Sequence, residues 1–477
     1  MIPNTSSAPA PPPFLVRAWN ETHEFSLDYP LASLTTTLAL SALGLTMISS
    51  APFVAGTIPL SLLGIVSMGA SSPFALAMIK NYRHLLFAFT PSLGNLLNGE
   101  AFAVKSCRGG KLYYQNGIPV LHITASTNKE AGITQGYLTG KNIHEIWKRY
   151  IQVLIPFYAR SLHGYENLKK TVSSLHVPQP YQEELQGIVE GYNRWLTEYK
   201  QEKGLVRFGQ PLTYQDLLLW HAMIDLLKKN GTPSALSSNV IISSENAKGQ
   251  IAIGRNLDIP SMNFLGHQSL LIRRHIKGQL PSITISLPGS VGSFTGINQH
   301  GVFAALNDAG RAFHFRGIPS SIFLRFILDS SNSANAAKRQ ISNALSPASS
   351  HLLSVADAKT AFIAQFGRPY KQHPLPARGH LIATNHCIDD RGRPLPDSQN
   401  PDLSEWRKRL IENDLYILNP MPTQRKLHTV LKKVQNTNTT QTFLFQPSTG
   451  ELSLGMADSY AASNDLVTFS SQQLFGK

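Results

Sequence analysis

The stretch SALSSNVIISSENAKGQIAIGRNLDIP, residues 234–260, predicts a β-hairpin with polar residues gathered at one end. Its two apolar runs, VII and IAI, flank a polar turn that ends in glycine, which readily adopts the positive φ that such turns need. In an antiparallel pair the start of the first strand lies beside the end of the second. We therefore expect Ser237 and Ser238 to approach the charged segment RNLD at 255–258, which is a plausible arrangement for a catalytic site.

The composition is that of a folded protein with a basic surface. Of 477 residues, 42% are hydrophobic and 15% are charged, which excludes a disordered chain and allows a large core. The 43 Lys and Arg exceed the 29 Asp and Glu, and the net charge of +14 favours anionic partners such as lipid headgroups. No nucleic-acid-binding motif or zinc-ligand spacing is present, so neither a nucleic acid nor a metal is expected. Two cysteines are too few for a disulfide framework.

The N-terminal part predicts a disordered tail followed by a membrane hairpin. Residues 1–28 are rich in Pro, Ser and Ala, whereas 29–79 contain no Asp, Glu, Lys, Arg or His. Because about 20 apolar residues span a bilayer, this bilobed segment can supply two helices, broken near Pro52 and Pro59. Basic residues after position 79 place both ends on the cytoplasmic side. The alternative is a helical hairpin buried in a soluble core.

The remaining sequence predicts a layered α+β protein in two parts. Residues 100–236 contain two strands around an Asn-Gly turn and then mainly helices, opened by capping boxes at Thr127 and Thr213. Glycines at 132, 136 and 140 share one helix face and would let another backbone approach closely. Residues 237–470 predict strands, then helices over 318–329, 333–346 and 354–366, and then a closing hairpin.

Several motifs occur in an order that resembles one group of hydrolases. They are NGIPVLHI, TNKEAGITQGYLTGKNI, EELQGIVEGYN, SSNVIIS, GRNLDI, GSVGSFTGINQHGVFAALND and GHLIATNH. The group comprises the N-terminal-nucleophile hydrolases related to acyl-coenzyme A:6-aminopenicillanate acyltransferase, acid ceramidase and choloylglycine hydrolase. The bilobed segment 29–79 separately resembles, in pattern only, the hydrophobic domain of chlamydial inclusion membrane proteins, which implies a host-facing inclusion membrane.

The hydrolase resemblance implies a fold and a maturation step. The fold is a four-layer αββα sandwich, here preceded by the two-helix hydrophobic hairpin. The precursor cuts itself just before the nucleophile, and the freed α-amine, with a pKa of ~7.7–8.0 when unperturbed, serves as the base for its own side chain. Residues 100–236 would then be a pro-segment, or α chain, and 237–470 the core, or β chain. The two chains would remain together as an α–β heterodimer, without a metal or organic cofactor.

The resemblance also implies site residues. In close relatives the nucleophile is a cysteine ahead of GRNLD, and the apolar run VII places that position at Ser237, whereas a shift of one residue gives Leu236 or Ser238. The remaining expected roles fall to four residues. Arg255 orients the nucleophile, Asp258 holds the freed amine, Asn307 donates to the oxyanion and Asn385 lies opposite.

Two hypotheses from different classes follow. The first is a membrane-anchored, self-processing amidohydrolase or acyltransferase that attacks a linear amide, or an ester, carrying an acyl chain. The second is a catalytically inactive membrane interaction protein, or secreted effector, on the same scaffold. The second rests on the serine that replaces cysteine, because an alcohol is a weaker nucleophile at neutral pH than a thiol. Self-cleavage distinguishes the two hypotheses.

Overall fold

A computed structural model gives the architecture of the C-terminal four-fifths of the chain. It describes residues 102–152, 165–205, 208–229, 236–243, 250–261, 264–314, 316–366, 370–377, 379–389, 393–395, 401–417 and 423–476. The predicted tail and membrane hairpin therefore lie outside the described residues. Within the described ranges, no helix has the length and apolar character needed to cross a membrane. The candidate site lies wholly within one compact unit, made of Thr90–Leu196 and Pro211–Lys477.

Two β-sheets form the centre of this unit. The large sheet has the strand order β1-β2-β3-β6-β7-β8-β9-β10-β11-β12 and the small sheet the order β13-β4-β5-β14-β15-β16. The large sheet contains β1 Lys105–Cys107, β2 Gly110–Gln115, β3 Ile118–Ala125, β6 Leu270–Ile276, β7 Ser282–Ser286, β8 Thr295–Asn298, β9 Phe303–Phe313, β10 Ser349–Ala356, β11 Ala361–Phe366 and β12 Lys371–Pro374. The small sheet contains β4 Leu236–Ser243, β5 Ile251–Asp258, β13 Gly379–Ala383, β14 Thr439–Gln446, β15 Glu451–Met456 and β16 Val467–Phe469. Strands β3 and β6 pair in parallel, and the other pairs are antiparallel.

Helices flank the two sheets, except that the short last helix packs Leu474 into the core between them. They are α1 Asn128–Leu138, α2 Gly140–Ile146, α3 Tyr165–Ser173, α4 Gln179–Lys203, α5 Tyr214–Lys229, α6 Ser320–Ser330, α7 Ala334–Asn343, α8 Pro401–Ile417, α9 Thr423–Val434 and α10 Ser471–Phe475. Helix α2 continues into a π-helical turn, Trp147–Ile151. Helix α1 packs on the outer face of the large sheet, and α8 and α9 pack on the outer face of the small sheet.

The hydrophobic cores confirm the predicted αββα layering. Between the sheets, side chains such as Ile253 and Phe443 of the small sheet meet Leu271 and Phe303 of the large sheet. A second core, which includes Ala252, lies between the small sheet and helices α8 and α9. Strand β5 is therefore buried on both faces, because its alternate side chains enter different cores. This burial positions the polar end of β5 in the interior.

Glycines allow helices α1 and α4 to cross in backbone contact. A Cβ atom added at Gly132 would lie 2.1 Å from the Glu184 carbonyl oxygen, and one at Gly136 would lie 2.2 Å from that of Ile188. Gly187 in α4 faces α1 in the same way. The sequence prediction that this glycine face admits another backbone is confirmed.

Most of the predicted local elements are present. Both capping boxes form in part or in full, because the amide of Glu130 donates to Thr127 Oγ1 and the amide of Asp216 donates to Thr213 Oγ1. The hairpin of the opening stretch is confirmed as β4 and β5, although its turn lies outside the described residues. The predicted helix over 354–366 is wrong, since this segment forms the end of β10 and the whole of β11. The two strands predicted around the Asn-Gly turn are confirmed as β2 and β3, and the segment 100–236 also contributes the short strand β1, which was not predicted.

Candidate active site

Strand β4 turns Ser237 toward the space between the two sheets. Ser237 shares its face of the strand with Ile241, a member of the inter-sheet core, because alternate residues point the same way. The side chain is 1% exposed, and its hydroxyl oxygen makes no hydrogen bond with the described residues. The neighbouring Ser238 faces the helix layer, where its hydroxyl accepts a hydrogen bond from Arg407 Nη1 at 2.9 Å. Of the two candidate nucleophiles, Ser237 is the one whose oxygen is uncommitted.

The backbone of Ser237 is held from both sides. Its amide donates to Asn385 Oδ1 at 2.8 Å, and its carbonyl accepts from Arg407 Nη1 at 2.9 Å. Arg407 Nη2 also donates to Asn385 Oδ1 at 2.6 Å, so the arginine and the asparagine form one unit around the serine. Asn385 is oriented in turn, because its Nδ2 donates to the Asp308 carbonyl at 2.7 Å and its backbone amide donates to Ser404 Oγ at 2.6 Å. The structure thus brings Asn385 to Ser237.

Arg255 lies on the same face of the small sheet, opposite Asn239 of β4. Its guanidinium donates to Thr295 Oγ1 at 2.8 Å, to Asn307 Oδ1 at 2.6 Å and to a backbone carbonyl of β9. Burial lowers the pKa of Arg255 to about 9, which still leaves the group charged at neutral pH. Asn307, the predicted oxyanion donor, uses its amide to donate to the Ala383 carbonyl at 3.0 Å. Arg255 and Asn307 are therefore coupled to each other.

Asp258 lies at the same end of the hairpin but on the helix-facing side. It is paired with Leu236 across the two strands, and its carboxylate accepts hydrogen bonds from Thr439 Oγ1 at 2.7 Å and Asn436 Nδ2 at 3.0 Å. Arg407 Nη1 is 3.9 Å from Asp258 Oδ2. Burial raises the pKa of this carboxyl group, and the Arg407 charge opposes that rise. In the uncut chain the Ser237 amide is held by Asn385 and not by Asp258, so the predicted role of Asp258 toward a freed amine stays a prediction.

Two residues of the site were missed by the sequence reasoning. Arg407 and Ser404 lie three positions apart on α8, so they share a helix face that is turned toward β4. Their segment carries no recognisable motif, and the spacing of serine and arginine on an amphipathic helix is common. The only available signal was the presence of two polar residues on the buried side of that helix.

An apolar cavity of about 100 Å³ lies beside the serine. Leu257, the cross-strand partner of Ser237, lines it, and directly paired residues have neighbouring side chains. Further lining comes from Tyr150, Trp220 and Met223 of the helical segment and from side chains of both sheets. The cavity suits an aliphatic group bound next to Ser237.

His221, at the wall of this cavity, is a neutral structural residue. Its Nε2 accepts a hydrogen bond from the Val291 amide at 2.8 Å, so the ring proton resides on Nδ1, which donates to the Leu217 carbonyl at 2.7 Å. Burial lowers its pKa to about 4. Among the described residues, no group of three or more His, Cys, Asp or Glu side chains is arranged to hold a metal ion.

Comparison with known proteins supports the sequence resemblance. The model of the family "Acyl-coenzyme A:6-aminopenicillanic acid acyl-transferase" matches residues 244–448, a range that begins after Ser237 and contains the other four predicted site residues and Arg407. The resemblance to this family is thereby confirmed.

Three solved structures are similar to the chain. An N-acylethanolamine-hydrolyzing acid amidase ortholog from Caenorhabditis elegans is 18% identical, over 49% of this chain and 99% of its own, with a TM-score of 0.37. A mutant conjugated bile acid hydrolase from Clostridium perfringens is 11% identical, over 49% and 92%, with a TM-score of 0.35. Penicillin V acylase from Agrobacterium tumefaciens is 12% identical, over 46% and 83%, with a TM-score of 0.31.

Proposed function

From the match of residues 244–448 to the acyl-transferase family, we propose that this chain is a self-processing N-terminal-nucleophile amidohydrolase or acyltransferase. Its nucleophile is Ser237, and its substrate is a linear amide, or an ester, that carries an acyl chain. The observation that carries this proposal is the environment of Ser237. The hydroxyl is buried and uncommitted, the backbone is fixed by Asn385 and Arg407, and an apolar cavity is lined by the cross-strand partner of Ser237, Leu257.

The first step is the cut between Leu236 and Ser237. The Ser237 hydroxyl attacks the Leu236 carbonyl carbon, the peptide C–N bond breaks, and the amine of Ser237 takes the proton as the acyl group moves to oxygen. Water then hydrolyses this ester, which leaves residue 236 as a carboxylate and Ser237 as a new N-terminus. Arg407, fixed against the Ser237 carbonyl, holds this backbone in register, because its Nη1 also contacts Ser238 on the opposite face.

The second reaction uses the freed amine as a base. With an ordinary pKa of ~7.7–8.0, the amine accepts the hydroxyl proton while the oxygen attacks the substrate carbonyl, and it returns a proton to the departing amine or alcohol. Water, or a second acceptor nucleophile, then takes the acyl group from the serine. Asp258 is paired with Leu236 across the hairpin. After the cut Leu236 is no longer bonded to Ser237, and Asp258 then holds the protonated amine of Ser237 by a charge-assisted hydrogen bond.

The assignments of Arg255 and Asn307 follow from their mutual hydrogen bond. The buried Arg255 guanidinium points toward β9. Its Nη1 donates a hydrogen bond to Asn307 Oδ1, and this bond fixes the orientation of the Asn307 side chain. The Asn307 amide is the group that we propose donates to the oxyanion. One such donor typically contributes about 3–4 kcal/mol to the stability of a tetrahedral intermediate.

The two products of self-cleavage are proposed to stay together. Buried ion pairs join residues before the cut to residues after it: Lys228 contacts Asp308, and Glu184 Oε1 accepts from Arg274 Nε at 3.0 Å. The side chains of all four are at most 3% exposed. Separating the two chains would break these buried ion pairs and disrupt the core around them, which is strongly unfavourable. An α–β heterodimer is therefore the expected product.

We also propose that residues 29–79 anchor the enzyme in a membrane, that of a host-facing inclusion, with the catalytic part on the cytoplasmic side. The absence of any charged residue or histidine from this run supports the anchor. Flotation of the full chain with liposomes of anionic lipid tests it. A full chain that stays in the aqueous fraction without detergent, as freely as a variant lacking 29–79, would count against the anchor.

The decisive experiment compares the full chain with Ser237→Ala and Ser238→Ala. Intact mass and N-terminal sequencing should show a fragment that begins at Ser237 in the full chain and in Ser238→Ala but not in Ser237→Ala. The cut material is then offered fluorogenic N-acyl amides of increasing chain length. A fragment that begins at Ser238 would move the nucleophile by one position. A chain that remains uncut for days would support the second hypothesis, an inactive interaction protein.

A further inference from the structure

A second cavity lies beside β13, the strand at one edge of the small sheet. Its volume is about 210 Å³, and it is bounded by β11, β12, β13 and α8. Three imidazoles line it, those of His373, His380 and His386, together with Lys408 and Glu412 of α8. None of its lining residues belongs to the apolar cavity beside Ser237. We call it the histidine-lined cavity.

His386 is held through its Nδ1 atom, which lies beside two hydroxyl groups. Ser404 Oγ, which accepts the backbone amide of Asn385 at 2.6 Å, lies 2.8 Å from His386 Nδ1, and Thr384 Oγ1 lies 3.3 Å from the same nitrogen, so either hydroxyl can donate to it. An Nδ1 that accepts such a hydrogen bond leaves the ring hydrogen of a neutral imidazole on Nε2. Burial is the main reason that the pKa of His386 falls to about 4, so the ring is neutral at physiological pH.

His373 supplies a polar atom without a partner. Its Nε2 is buried and makes no hydrogen bond with the described residues. Buried nitrogen and oxygen atoms are nearly always hydrogen-bonded, and leaving one unpaired typically costs about 1–3 kcal/mol. A bound polar group in the cavity would satisfy this nitrogen.

The charges around the cavity favour an anion. Burial is the largest cause of the lowered pKa of all three imidazoles, and the Lys408 ammonium lowers each of them further. The Glu412 carboxylate opposes this effect at His380, and the Glu405 carboxylate opposes it at His386. Lys408 is thus the one charge that acts on all three rings, with Lys371 adding to its effect at His373 and Arg407 at His386. Glu412 lies 3.9 Å from Lys408, and its side chain is the more exposed of the two, at 40% against 26%. Solvent therefore screens the carboxylate more than the ammonium.

Apart from Gln365 and Thr384, the remaining lining residues are aliphatic. Leu352, Ile363, Leu381, Ile382 and Ile388 line the cavity beside the polar groups. A ligand must therefore present both an anionic head and a short apolar body, which is a common division in small-molecule sites.

We propose that the histidine-lined cavity is a binding site for a small aliphatic carboxylate. The carboxylate accepts hydrogen bonds from His386 Nε2 and Lys408 Nζ and reaches His373, while the alkyl part packs on the aliphatic wall. This site does not depend on the chemistry assigned to Ser237.

Isothermal titration of the full-length Ser237→Ala protein with butyrate, and separately with inorganic phosphate, tests the proposal. This background removes self-cleavage, so the outcome is independent of the proposed enzymatic function. Saturable butyrate binding is expected, weakened at least tenfold by Lys408→Met and also weakened by His373→Asn. The matched controls Lys277→Met and His300→Asn change exposed residues outside the cavity and should bind as the parent does.

Three results would overturn the proposal. The first is the absence of saturable butyrate binding. The second is phosphate binding that equals or exceeds butyrate binding, which would refute the aliphatic carboxylate. The third is butyrate binding that survives Lys408→Met and His373→Asn but is lost in Trp220→Ala, since the ligand would then occupy the apolar cavity beside Ser237.

Discussion

Replacing Arg407 by methionine should both destabilise the protein and slow the cut before Ser237. Methionine keeps a long apolar stem but removes every donor that Arg407 offers. Three acceptors lose a partner: the Ser237 carbonyl, the Ser238 hydroxyl and Asn385 Oδ1. Asp258, which is completely buried, also loses the positive charge 3.9 Å from its carboxylate.

The size of the effect follows from the burial of these groups. Breaking a buried charge pair by removing one partner typically costs about 3–5 kcal/mol, because the other charge stays in a poorly polar environment. Two compensations reduce the loss at this site. The Asp258 carboxylate keeps its hydrogen bonds from Thr439 and Asn436, and Asn385 Oδ1 keeps the Ser237 amide. We therefore expect a loss near the lower end, about 3 kcal/mol in the free energy of unfolding.

Arg409→Met on the same helix is the matched control. Arg409 pairs with Glu405 at 2.6 Å, but its side chain is 70% exposed, and exposed pairs contribute only about 0–1 kcal/mol. Urea unfolding in the Ser237→Ala background gives both free energies without interference from cleavage. Cleavage rates are then measured with Ser237 intact. Equal losses of stability in the two variants, or undiminished cleavage in Arg407→Met, would refute the reasoning that Arg407 organises the site.

Three further changes test the fold and its charges. Lys228→Met should lower the free energy of unfolding by about 3–5 kcal/mol, because it leaves Asp308 buried without its cation, whereas Lys129→Met removes an exposed pair and should cost at most about 1 kcal/mol. Gly132→Ala should cost about 3 kcal/mol in the same urea assay, since its Cβ would lie 2.1 Å from a carbonyl oxygen of α4 and the two helices must separate. His221 has a folded pKa of about 4 against an ordinary value of 6.5, so its stabilising effect is complete above pH 6.5 and is lost as the pH falls toward 4. Between pH 6.5 and pH 4, the free energy of unfolding should therefore fall by about 3 kcal/mol more in the parent than in His221→Gln, as measured by urea unfolding at each pH. An identical pH profile in the two proteins would contradict the assignment.

Local signals in the sequence were sufficient for much of the fold. The Asn-Gly turn between β2 and β3 is one example, since Asn116 and Gly117 adopt φ values of 53° and 80°. The glycine spacing that begins at Gly132 is another example. Glycine lowers the stability of a helix, so glycines repeated on one face indicate a close contact with another backbone that offsets this cost. In both cases a short stretch of chain carries its own physical reason for the structure.

The segment 354–366 shows where such signals fail. Its small apolar residues fit a helical period as well as a strand period, and short apolar runs do not discriminate between them. The turn of the β10–β11 hairpin decides the outcome, because Asp357 Oδ1 accepts hydrogen bonds from the amides of Lys359 and Thr360. Pairing with β9 then buries β10 on both faces, a contact that no local pattern encodes.

The candidate site divides in the same way between local and distant contributions. The hairpin of β4 and β5 brings Ser237 and Arg255 to one face by register alone, so a pattern of alternating residues sufficed to place them. Asp258 and Ser238 fall on the opposite face for the same reason, and β-pairing cannot join the two faces. Arg407 links the Ser237 backbone to the helix-facing side, because its guanidinium reaches the Ser237 carbonyl as well as the side chains of Ser238 and, more distantly, Asp258. This contact spans 170 positions of sequence and depends on how α8 packs on the small sheet, so it could be recognised only in the folded chain.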